Sequence, residues 1–292
     1  MEPRVVIVTR PTEYQGLLAR HATHSAAAWF LEGRGQDIAV YMMRQHQQDA
    51  AVDTALRAIP PTWRHTRVTR SDLDRFLFEP EDIIVAVGQD GLVPNVAKYL
   101  SGQPVIGVNP DPVRYEGALV RHPAVALADL LRSMDRCHPE HRTMIEARTD
   151  NGQRLLALNE IFVGHRSHQS AKYTIRWQGA EERQSSSGVI VASGTGATGW
   201  AKSVHRCHRS QVGLPAPIAP ELVFFVREPW PSVYTSAELN EGALGPNQAL
   251  QITSEMNAGG TLFGDGIEDD AIELDWAITA TIGLADRALV LV

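Results

Sequence analysis

The stretch "DIIVAVGQDGLVPN", residues 82–95, decides the fold of the first part of the chain. Its apolar run, residues 83–87, is typical of a strand buried in a parallel sheet, and the sequence GQDG follows at residues 88–91. A glycine-flanked turn at the carboxyl end of such a strand exposes backbone N–H groups that can bind phosphate oxygens. An Asp-Gly turn is also a common way to end a strand without any chemistry. Both interpretations stay open until the remaining sequence is considered.

The composition is that of an ordinary globular protein, with 292 residues, 43% of them apolar and 21% charged. This is enough to bury the core of one large domain or two of average size. No apolar segment approaches the ~18 residues that a membrane-spanning helix needs, so no membrane association is predicted. The formal net charge is −7 and Lys and Arg are not clustered, which gives nucleic-acid binding no electrostatic support.

The location expected for the chain is cytoplasmic. The strand-like start "MEPRVVIVTR" leaves no room for a signal or transit peptide. The two cysteines, Cys137 and Cys207, are too few for a disulfide framework and suit a reducing compartment.

Strand-like and helix-like patterns alternate in the first part of the chain. Strands are predicted at residues 4–9, 37–42, 82–87 and 104–109, and helices at residues 16–34, 48–59, 95–101 and 124–134. This alternation predicts an α/β domain with a Rossmann-like layered sheet over residues 1–135.

The pattern changes to short strands and turns after the last of these helices. The sequence Asp-Asn-Gly at residues 150–152 is a strong hairpin signal. Further strands are predicted at residues 155–164, 171–177, 187–193, 221–228, 249–253 and 271–282. We therefore expect a β-rich, sandwich-like domain over residues 136–292, its C-terminal tail packing back on the first domain. Small-molecule sites often lie between domains, and a cleft between these two is the expected site.

A second glycine-rich turn, "SGTGATGW", occupies residues 193–200. It contains the GxGxxG pattern of dinucleotide-binding folds, but that fingerprint needs a second parallel strand ending in an acid about 20 residues further on. The sequence offers no such strand, so a Rossmann dehydrogenase is the least favoured function. We interpret the segment as a turn that lets a ligand approach the backbone, with Trp200 available to stack on an aromatic base.

Two polar residues, Asn159 and Glu160, interrupt the otherwise apolar segment 155–164. Burying them is costly unless they are paired or bind something, and a structural pair and a ligand site both stay open. The acidic segment 264–270 is most simply explained as a solvated turn.

Two familiar kinds of site are not expected. The His and Cys groups near residues 137–141 and 205–208 lack zinc-site spacing, so no metal centre is predicted. The absence of GxxxxGK[ST] excludes a P-loop kinase.

In this order, the segments resemble the motifs of the NAD kinase family. The sequence GQDGL at 88–92 matches GGDGT, residues 159 and 160 match its Asn-Glu pair, and residues 193–200 match TPTGSTAY. Ser-Ser-Gly at 186–188 and the tryptophan at 200 are similar to the mitochondrial-type branch of the family and its bacterial relatives. Further similar stretches are residues 14–24, 105–117, 224–229 and 264–266.

The resemblance implies a reaction and a set of residues that carry it. The reaction is transfer of the γ-phosphoryl group of ATP, with Mg²⁺, to the 2′-hydroxyl of the adenosine ribose of NAD, which gives NADP. Asp90 would be the general base, and the turn of Gly88 and Gly91 would hold the ATP phosphates. NAD would be bound by Asn159, Glu160, Thr195, Gly196, Thr198, Gly199, Trp200 and Ser203. The family also implies a homodimer or a larger homo-oligomer.

The chain departs from the family motif at two positions, where Gln89 replaces a glycine and Leu92 replaces a threonine. Two alternative functions follow from these departures. The chain could be a non-catalytic protein that binds NAD(P) or another nucleotide, its donor site lost. It could also be a kinase of the same superfamily that phosphorylates another small molecule or a lipid.

Overall fold

The computed structural model describes residues 2–292, apart from the side chains of residues 268 and 269. The chain divides into two compact units, Met1–Glu140 with Val290–Val292, and His141–Leu289. The first unit is an α/β layer structure and the second is a β-sandwich, so the predicted fold class is confirmed. None of the described helices is both long enough and apolar enough to cross a membrane.

The first unit contains a parallel sheet with the strand order β2-β1-β3-β4. Both β5 and the last residues of β17 pair with β4, also in parallel. The elements are β1 (Arg4–Thr9), α1 (Glu13–His21), α2 (His24–Glu32), α3 (Ile38–Ala58), β2 (Arg64–Thr69), β3 (Ile83–Val87), α4 (Leu92–Ala97), β4 (Pro104–Asn109), β5 (His122–Pro123) and α5 (Leu127–Arg132).

The sheet of the first unit is buried because its central strands are apolar throughout. All five residues of β3 are buried, and so are the last five of β4. Side chains of α3 and α5 cover one face of the sheet. The chain passes from β1 to β2 on one side and then returns to place β3 on the other side of β1. This reversal is a topological switch point, where open α/β sheets bind ligands at the carboxyl ends of the strands.

The helix predicted at residues 16–34 is two helices. Ala22 has a φ of 64° and interrupts the helical backbone. The Thr23 side chain then caps the second helix by accepting a hydrogen bond from the Ala26 N–H at 3.2 Å. This local cap outweighs the continuous apolar pattern.

The strand predicted at residues 37–42 is wrong, because this segment is the start of the long helix α3. The Asp37 side chain accepts a hydrogen bond from the Ala39 N–H at 2.8 Å and caps the helix. The helix predicted at 48–59 is the second half of the same α3. Asp37 is a residue type that often caps the start of a helix, and it was the sequence signal for α3. The alternating apolar pattern favoured a strand instead.

Smaller differences concern the other elements of the first unit. Helix α4 begins and ends about three residues before the predicted segment 95–101. The segment 124–134 is helical at its centre in α5, with a single 3₁₀ turn on each side. Strand β2 was not predicted, since its mostly exposed residues lack a buried apolar run.

The second unit packs two sheets face to face. One has the order β10-β9-β14-β17, with β6 beside β17 and β7 beside β6, and the other has the order β13-β12-β11-β8-β15-β16. The elements are β6 (Glu140–Thr149), β7 (Arg154–Ala157), β8 (Glu160–His165), β9 (Ala171–Trp177), β10 (Ala180–Ser186), β11 (Val189–Ser193), α6 (Trp200–His208), β12 (Leu222–Val226), β13 (Glu241–Leu244), β14 (Ala249–Ser254), β15 (Gly260–Gly264), β16 (Ile267–Glu273) and β17 (Thr279–Leu291).

Alternate residues of these strands form the core of the sandwich. Tyr173, Phe224 and Ile282 are among the side chains that fill the space between the two sheets. The opposite face of the second sheet carries Ile190 and Phe225, against which α6 packs. This two-sided burial explains the fully apolar sequences of β11 and β12.

The predicted hairpin at residues 150–152 is present between β6 and β7. Two predicted strands of the second unit are divided in the structure. The segment 155–164 changes sheets, since β7 pairs with β6 and β8 pairs with β11 and β15. The segment 271–282 contains the end of β16, a turn and the start of β17.

A pair of glycine substitutions tests the packing of β4. A Cβ atom at Gly107 would lie 2.0 Å from the Leu119 carbonyl oxygen, whereas one at Gly16 in α1 would meet nothing within 4 Å. We expect Gly107→Ala to lower the free energy of unfolding by about 1–3 kcal/mol or more through overpacking. Gly16→Ala should raise it by about 0.5–1 kcal/mol because a helix interior disfavours glycine. Urea denaturation measures both, and equal effects would contradict the packing described.

Candidate active site

The turn at residues 88–91 leads from β3 into α4. The Gly88 N–H donates to the Val108 carbonyl oxygen at 3.0 Å, which fixes the start of the turn. The backbone N–H groups of Gln89, Asp90 and Gly91 form no hydrogen bond with any residue that the structure describes. Unbonded backbone N–H groups at the carboxyl end of a parallel strand are donors that can bind phosphate oxygens.

The Asp90 carboxylate is held by three backbone N–H groups from the segment after β4. Oδ1 accepts from Leu119 at 2.8 Å and from Val120 at 3.0 Å, and Oδ2 accepts from Ala118 at 2.9 Å. An ionised carboxylate offers about four lone-pair sites, so one site stays available, on Oδ2. The turn and the segment 118–120 therefore fix the direction of this free oxygen site.

The glycines of the turn differ in what surrounds them. A Cβ at Gly88 would contact Leu92 Cδ2 at 3.2 Å, and a Cβ at Gly91 would meet nothing within 4 Å. Gly91 thus leaves open space beside the unbonded N–H groups.

Gln89 and Leu92, which depart from the family motif, fit the turn without distortion. Gln89 is not among the residues with positive φ, and its exposed side chain accepts a hydrogen bond from Arg10 Nη2. Leu92 is fully buried, so it contributes to the core of the first unit. The backbone that could bind phosphate is consequently preserved despite both replacements.

Asn159 lies in the two-residue connection between β7 and β8, and Glu160 is the first residue of β8. The predicted single strand through both residues is therefore wrong. The connection is held by Asp265, whose carboxylate accepts hydrogen bonds from the Leu158 N–H at 3.0 Å and the Asn159 N–H at 2.6 Å.

Asp265 also corrects the interpretation of the acidic segment 264–270. Gly264 ends β15 and residues 265–266 form the hairpin turn to β16, and the Asp265 carboxylate is bonded to backbone instead of being freely solvated. The side chains of residues 268 and 269 lie outside the described part of the chain.

The pKa of Glu160 is raised above the usual value of a glutamate. Burial, and secondarily the nearby Asp265 carboxylate, raise the pKa of Glu160 to about 7. Both effects disfavour the charged form. A ligand that donates hydrogen bonds to Glu160 would favour the carboxylate and lower this pKa.

The glycine turn after β11 is packed tightly against its own unit. A Cβ at Gly194 would lie 2.0 Å from the Ala216 carbonyl oxygen, and one at Gly196 would lie 2.0 Å from the Asn159 carbonyl oxygen. These glycines therefore permit close contact between chain segments. Gly199 is different, since its nearest neighbour would be 3.7 Å away, and it leaves space for a ligand.

Two backbone N–H groups of this turn are bonded to a side chain of the turn itself. Ser193 Oγ accepts hydrogen bonds from the N–H groups of Thr195 at 3.1 Å and Gly196 at 3.3 Å. Both of these residues are buried. Gly196 also packs on the Asn159 backbone, so the turn holds Asn159 in place. Thr198, Gly199 and Ser203 are exposed and are the accessible members of the predicted set.

Trp200 begins α6 and is stacked on its own neighbours. The Phe162 ring lies nearly parallel to it, with 5.8 Å between the ring centroids, and Arg227 Cζ lies 5.3 Å from the Trp200 centroid. A cavity of about 680 Å³ opens beside these side chains, lined also by Ser187, Thr261 and Phe263. An aromatic base that stacks on Trp200 must share the ring with Arg227 or displace it.

Sequence reasoning missed three contributors to these sites. Asp265 stabilises the Asn159 connection, Arg227 covers Trp200, and Arg10 contacts Gln89. The sequence Gly-Asp-Gly at 264–266 was a signal, because it places a carboxylate between glycines as residues 88–91 do. Nothing local marks Arg10 or Arg227, whose contacts come from distant parts of the chain.

Across the described residues, no group of three His, Cys, Asp or Glu side chains is arranged to hold a metal ion. Of the predicted site residues, Gly88, Asp90 and Gly91 lie together in the first unit. Asn159, Glu160 and residues 195–203 lie in the second, where Gly196 packs directly on Asn159.

Replacing Glu160 tests its raised pKa. The folded state holds the Glu160 proton more tightly than the unfolded state, whose pKa is near 4.5. The protonated group therefore contributes stability that is lost as the pH rises from about 4.5 through 7. Glu160→Gln resembles the protonated form. We expect its free energy of unfolding to be about 2–3 kcal/mol higher than that of wild type at pH 8 and nearly equal to it below pH 5. Glu221→Gln, at an exposed glutamate, is the control. If the difference in free energy of unfolding between Glu160→Gln and wild type does not depend on pH, the raised pKa of Glu160 is contradicted.

No family model matches the chain. The sequence is 25% identical over 274 residues to NAD kinase 2, mitochondrial, of Xenopus tropicalis, and the alignment covers 72% of this chain. The chain spans 59% of the length of that curated relative.

Two solved structures share the fold. Yeast NADH kinase complexed with NADH has a TM-score of 0.64 at 14% identity, over 100% of this chain and 83% of that one. An NAD kinase from Archaeoglobus fulgidus in complex with ATP has a TM-score of 0.62 at 18% identity, over 99% of this chain and 92% of that one. The resemblance predicted from the motifs is confirmed: the sequence is similar to a curated NAD kinase, and the fold is shared with solved structures of an NADH kinase and an NAD kinase.

Proposed function

We propose that the chain is a kinase that transfers the γ-phosphoryl group of ATP to the 2′-hydroxyl of the adenosine ribose of NAD. The observation that carries this proposal is the turn at residues 88–91. It combines three unbonded backbone N–H groups with a carboxylate that has one free lone-pair site. The similarity to NAD kinase 2 of Xenopus tropicalis supports NAD as the acceptor.

Asp90 is the proposed general base. Its free lone-pair site on Oδ2 accepts the proton of the ribose 2′-hydroxyl as the hydroxyl oxygen attacks the γ-phosphorus. A bond forms between that oxygen and phosphorus, and the bond from phosphorus to the β,γ-bridging oxygen breaks. The products are NADP and ADP, and the proton is released from Asp90 to solvent.

The turn supplies the electrostatic part of the reaction. Phosphoryl transfer depends mainly on positioning and charge stabilisation, and the N–H groups of residues 89–91 are donors that need no reorganisation. Mg²⁺ arrives with ATP as part of the substrate and neutralises phosphate charge. The space beside Gly91 allows phosphate oxygens to approach the backbone.

The adenosine half of NAD is the proposed ligand of the second unit. Asn159 would contact the base and Glu160 the ribose hydroxyls, while Thr198, Gly199 and Trp200 would line the adenine pocket. Ser203 is exposed one turn further along α6 and is a peripheral member of this set. Thr195 and Gly196 would act by holding the turn, because they are buried with their N–H groups engaged.

The two replacements in the motif do not favour a non-catalytic protein. The Gln89 side chain is bonded to Arg10 and Leu92 lies in the core, and the backbone N–H groups of residues 89–91 stay unbonded among the described residues. A kinase acting on another small molecule or a lipid would use the same turn. It would differ from an NAD kinase in the molecule that accepts the phosphoryl group. The homo-oligomer and the cytoplasmic location stay predictions.

The activity is tested by supplying Mg-ATP and NAD and measuring NADP. We expect NADP to form with wild type, and Asp90→Asn to reduce kcat by about 10²–10⁴-fold because a general base is lost. The same substitution removes acceptor sites for backbone N–H groups and should lower the free energy of unfolding by about 1–3 kcal/mol. The assay is therefore run well below the unfolding temperature of the variant, with calorimetry to show that it still binds NAD. Wild type that forms no more NADP than the variant would refute the proposal, and NADH and other acceptors are assayed in parallel.

The role of Trp200 is tested by truncation and by a conservative change. Trp200→Ala should raise KM for NAD about tenfold, since base–aromatic stacking contributes roughly 1–3 kcal/mol. Trp200→Phe should restore most of the affinity. Trp29→Ala is the matched control, because Trp29 is an exposed tryptophan of the first unit. Unchanged KM for NAD in Trp200→Ala would exclude Trp200 from the adenine pocket.

A further inference from the structure

The connection between β7 and β8 consists of Leu158 and Asn159, and all four of its backbone polar groups are hydrogen-bonded. The Leu158 N–H donates to Asp265 Oδ2 at 3.0 Å, and the Asn159 N–H donates to Asp265 Oδ1 at 2.6 Å. The Leu158 carbonyl oxygen accepts from Ser193 Oγ at 2.5 Å, and the Asn159 carbonyl oxygen accepts from the Ser193 N–H at 2.9 Å. We call Ser193 and Asp265 the clamp, because together they fix the backbone of this connection.

The polar side chains beside the clamp are not used by the protein itself. Neither the Asn159 amide nor the Glu160 carboxyl forms a hydrogen bond or an ion pair with a residue that the structure describes. Asparagine side chains in turns commonly bond to nearby backbone N–H groups. Asp265 takes both N–H groups of the connection, so the Asn159 amide oxygen has no free backbone donor there. The clamp thus leaves the Asn159 side chain available to a ligand.

The hairpin turn that carries Asp265 does not itself require a carboxylate. Asp265 and Gly266 have φ values of 57° and 66°, and a two-residue turn of type I′ needs positive φ at both positions. Asparagine followed by glycine suits such a turn as well as aspartate followed by glycine. A carboxylate has two acceptor oxygens, whereas an amide has one. The two N–H groups of the connection therefore explain the aspartate, and the turn explains only the glycine.

The carboxylate of Asp265 also has an electrostatic cost. It acts with burial, which is the larger cause, to raise the pKa of Glu160 to about 7. An uncharged asparagine would form the same turn without disfavouring the ionised form of Glu160. The position thus carries a cost that the hairpin alone does not explain.

The Ser193 hydroxyl joins the connection to the glycine turn after β11. It donates to the Leu158 carbonyl oxygen and accepts from the N–H groups of Thr195 at 3.1 Å and Gly196 at 3.3 Å. A hydroxyl has one donor and two acceptor sites, so its capacity is fully used. Ser193 is completely buried. It therefore fixes the glycine turn and the connection relative to one another without reaching the ligand.

We propose that Ser193 and Asp265 are positioning residues of the acceptor site, which hold the connection so that Asn159 and Glu160 face the ligand in a fixed direction. Only the identity of the ligand, NAD, rests on the proposed function. A preorganised site spends less binding energy on ordering its own groups. Loss of the clamp should therefore raise KM for NAD. It should leave kcat nearly unchanged, because the Asp90 turn is built independently.

The contribution of Ser193 is tested against a matched serine. Ser254 is also buried at the end of a strand, and its Oγ donates to the Leu274 carbonyl oxygen at 2.7 Å and accepts from the Met256 N–H at 3.2 Å. Ser193→Ala and Ser254→Ala should lower the unfolding temperature by similar amounts. Only Ser193→Ala should weaken NAD binding in calorimetry and raise KM, each by about tenfold. Equal weakening in both variants, or unchanged binding in Ser193→Ala, would overturn the proposal.

The contribution of Asp265 is tested by substitutions that keep the turn. Asp265→Gly permits positive φ and removes both acceptor oxygens, and Asp265→Asn keeps one. We expect NAD binding to weaken about tenfold in Asp265→Gly and less in Asp265→Asn. Amide hydrogen exchange of residues 158 and 159 should be faster in Asp265→Gly. The control is Asn247→Gly, at an exposed residue with a φ of 63° between β13 and β14. Unchanged exchange and binding in Asp265→Gly, or equal changes in the control, would contradict the clamp.

A double-mutant cycle separates positioning from general stability. A positioning residue acts only while the side chain that it positions is present, so Ser193→Ala should weaken NAD binding less in the Asn159→Ala background than in wild type. The same fold loss in both backgrounds would refute positioning. If NAD binds and the clamp variants weaken its binding but no NADP forms, the proposed function fails and the clamp stands. If NADP forms and the clamp variants bind NAD as wild type does, the clamp fails and the proposed function stands.

Discussion

The hydrogen bonds between the Asp90 carboxylate and the backbone N–H groups of residues 118–120 are the constraint on which the proposed donor site depends. They connect the turn after β3 to the segment that follows β4. Gly107 makes this possible, because only a residue without a side chain lets β4 approach Leu119 so closely. The same bonds leave a single acceptor site on Asp90. One side chain thus organises the turn and, in the proposed function, would present an oxygen to a substrate hydroxyl.

A comparable arrangement organises the second unit. The Asp265 carboxylate holds the connection before β8, and its charge acts with burial to raise the pKa of Glu160 to about 7. Gly196 packs on the backbone of Asn159 from the other side. The Asn-Glu pair is therefore structurally fixed, and its surroundings favour the protonated form of Glu160. Perturbed pKa values of this kind are frequent at functional sites.

The sequence predicted the elements whose signals are local and apolar. The sequence identified the buried strands β3 and β4 and the Asp-Asn-Gly hairpin, because each of these features depends on residues that are adjacent in the sequence. The strand predicted at 37–42 failed because a helix cap at Asp37 outweighed alternating hydrophobicity. The contacts of Asp265, Arg227 and Arg10 could not be predicted, since each joins segments far apart in the chain. The role of Gln89 also required the structure, which shows its side chain beside Arg10.

The proposed reaction requires Asp90 to present one free oxygen site to a ribose 2′-hydroxyl. A crystal structure of the protein with NAD and a non-hydrolysable ATP analogue measures this most directly. The proposed reaction predicts the 2′-oxygen within about 3 Å of Asp90 Oδ2, which is hydrogen-bond reach for a general base. It also predicts phosphate oxygens on the N–H groups of residues 89–91. A well-ordered NAD whose 2′-hydroxyl points away from Asp90, with no phosphate on the turn, would contradict it.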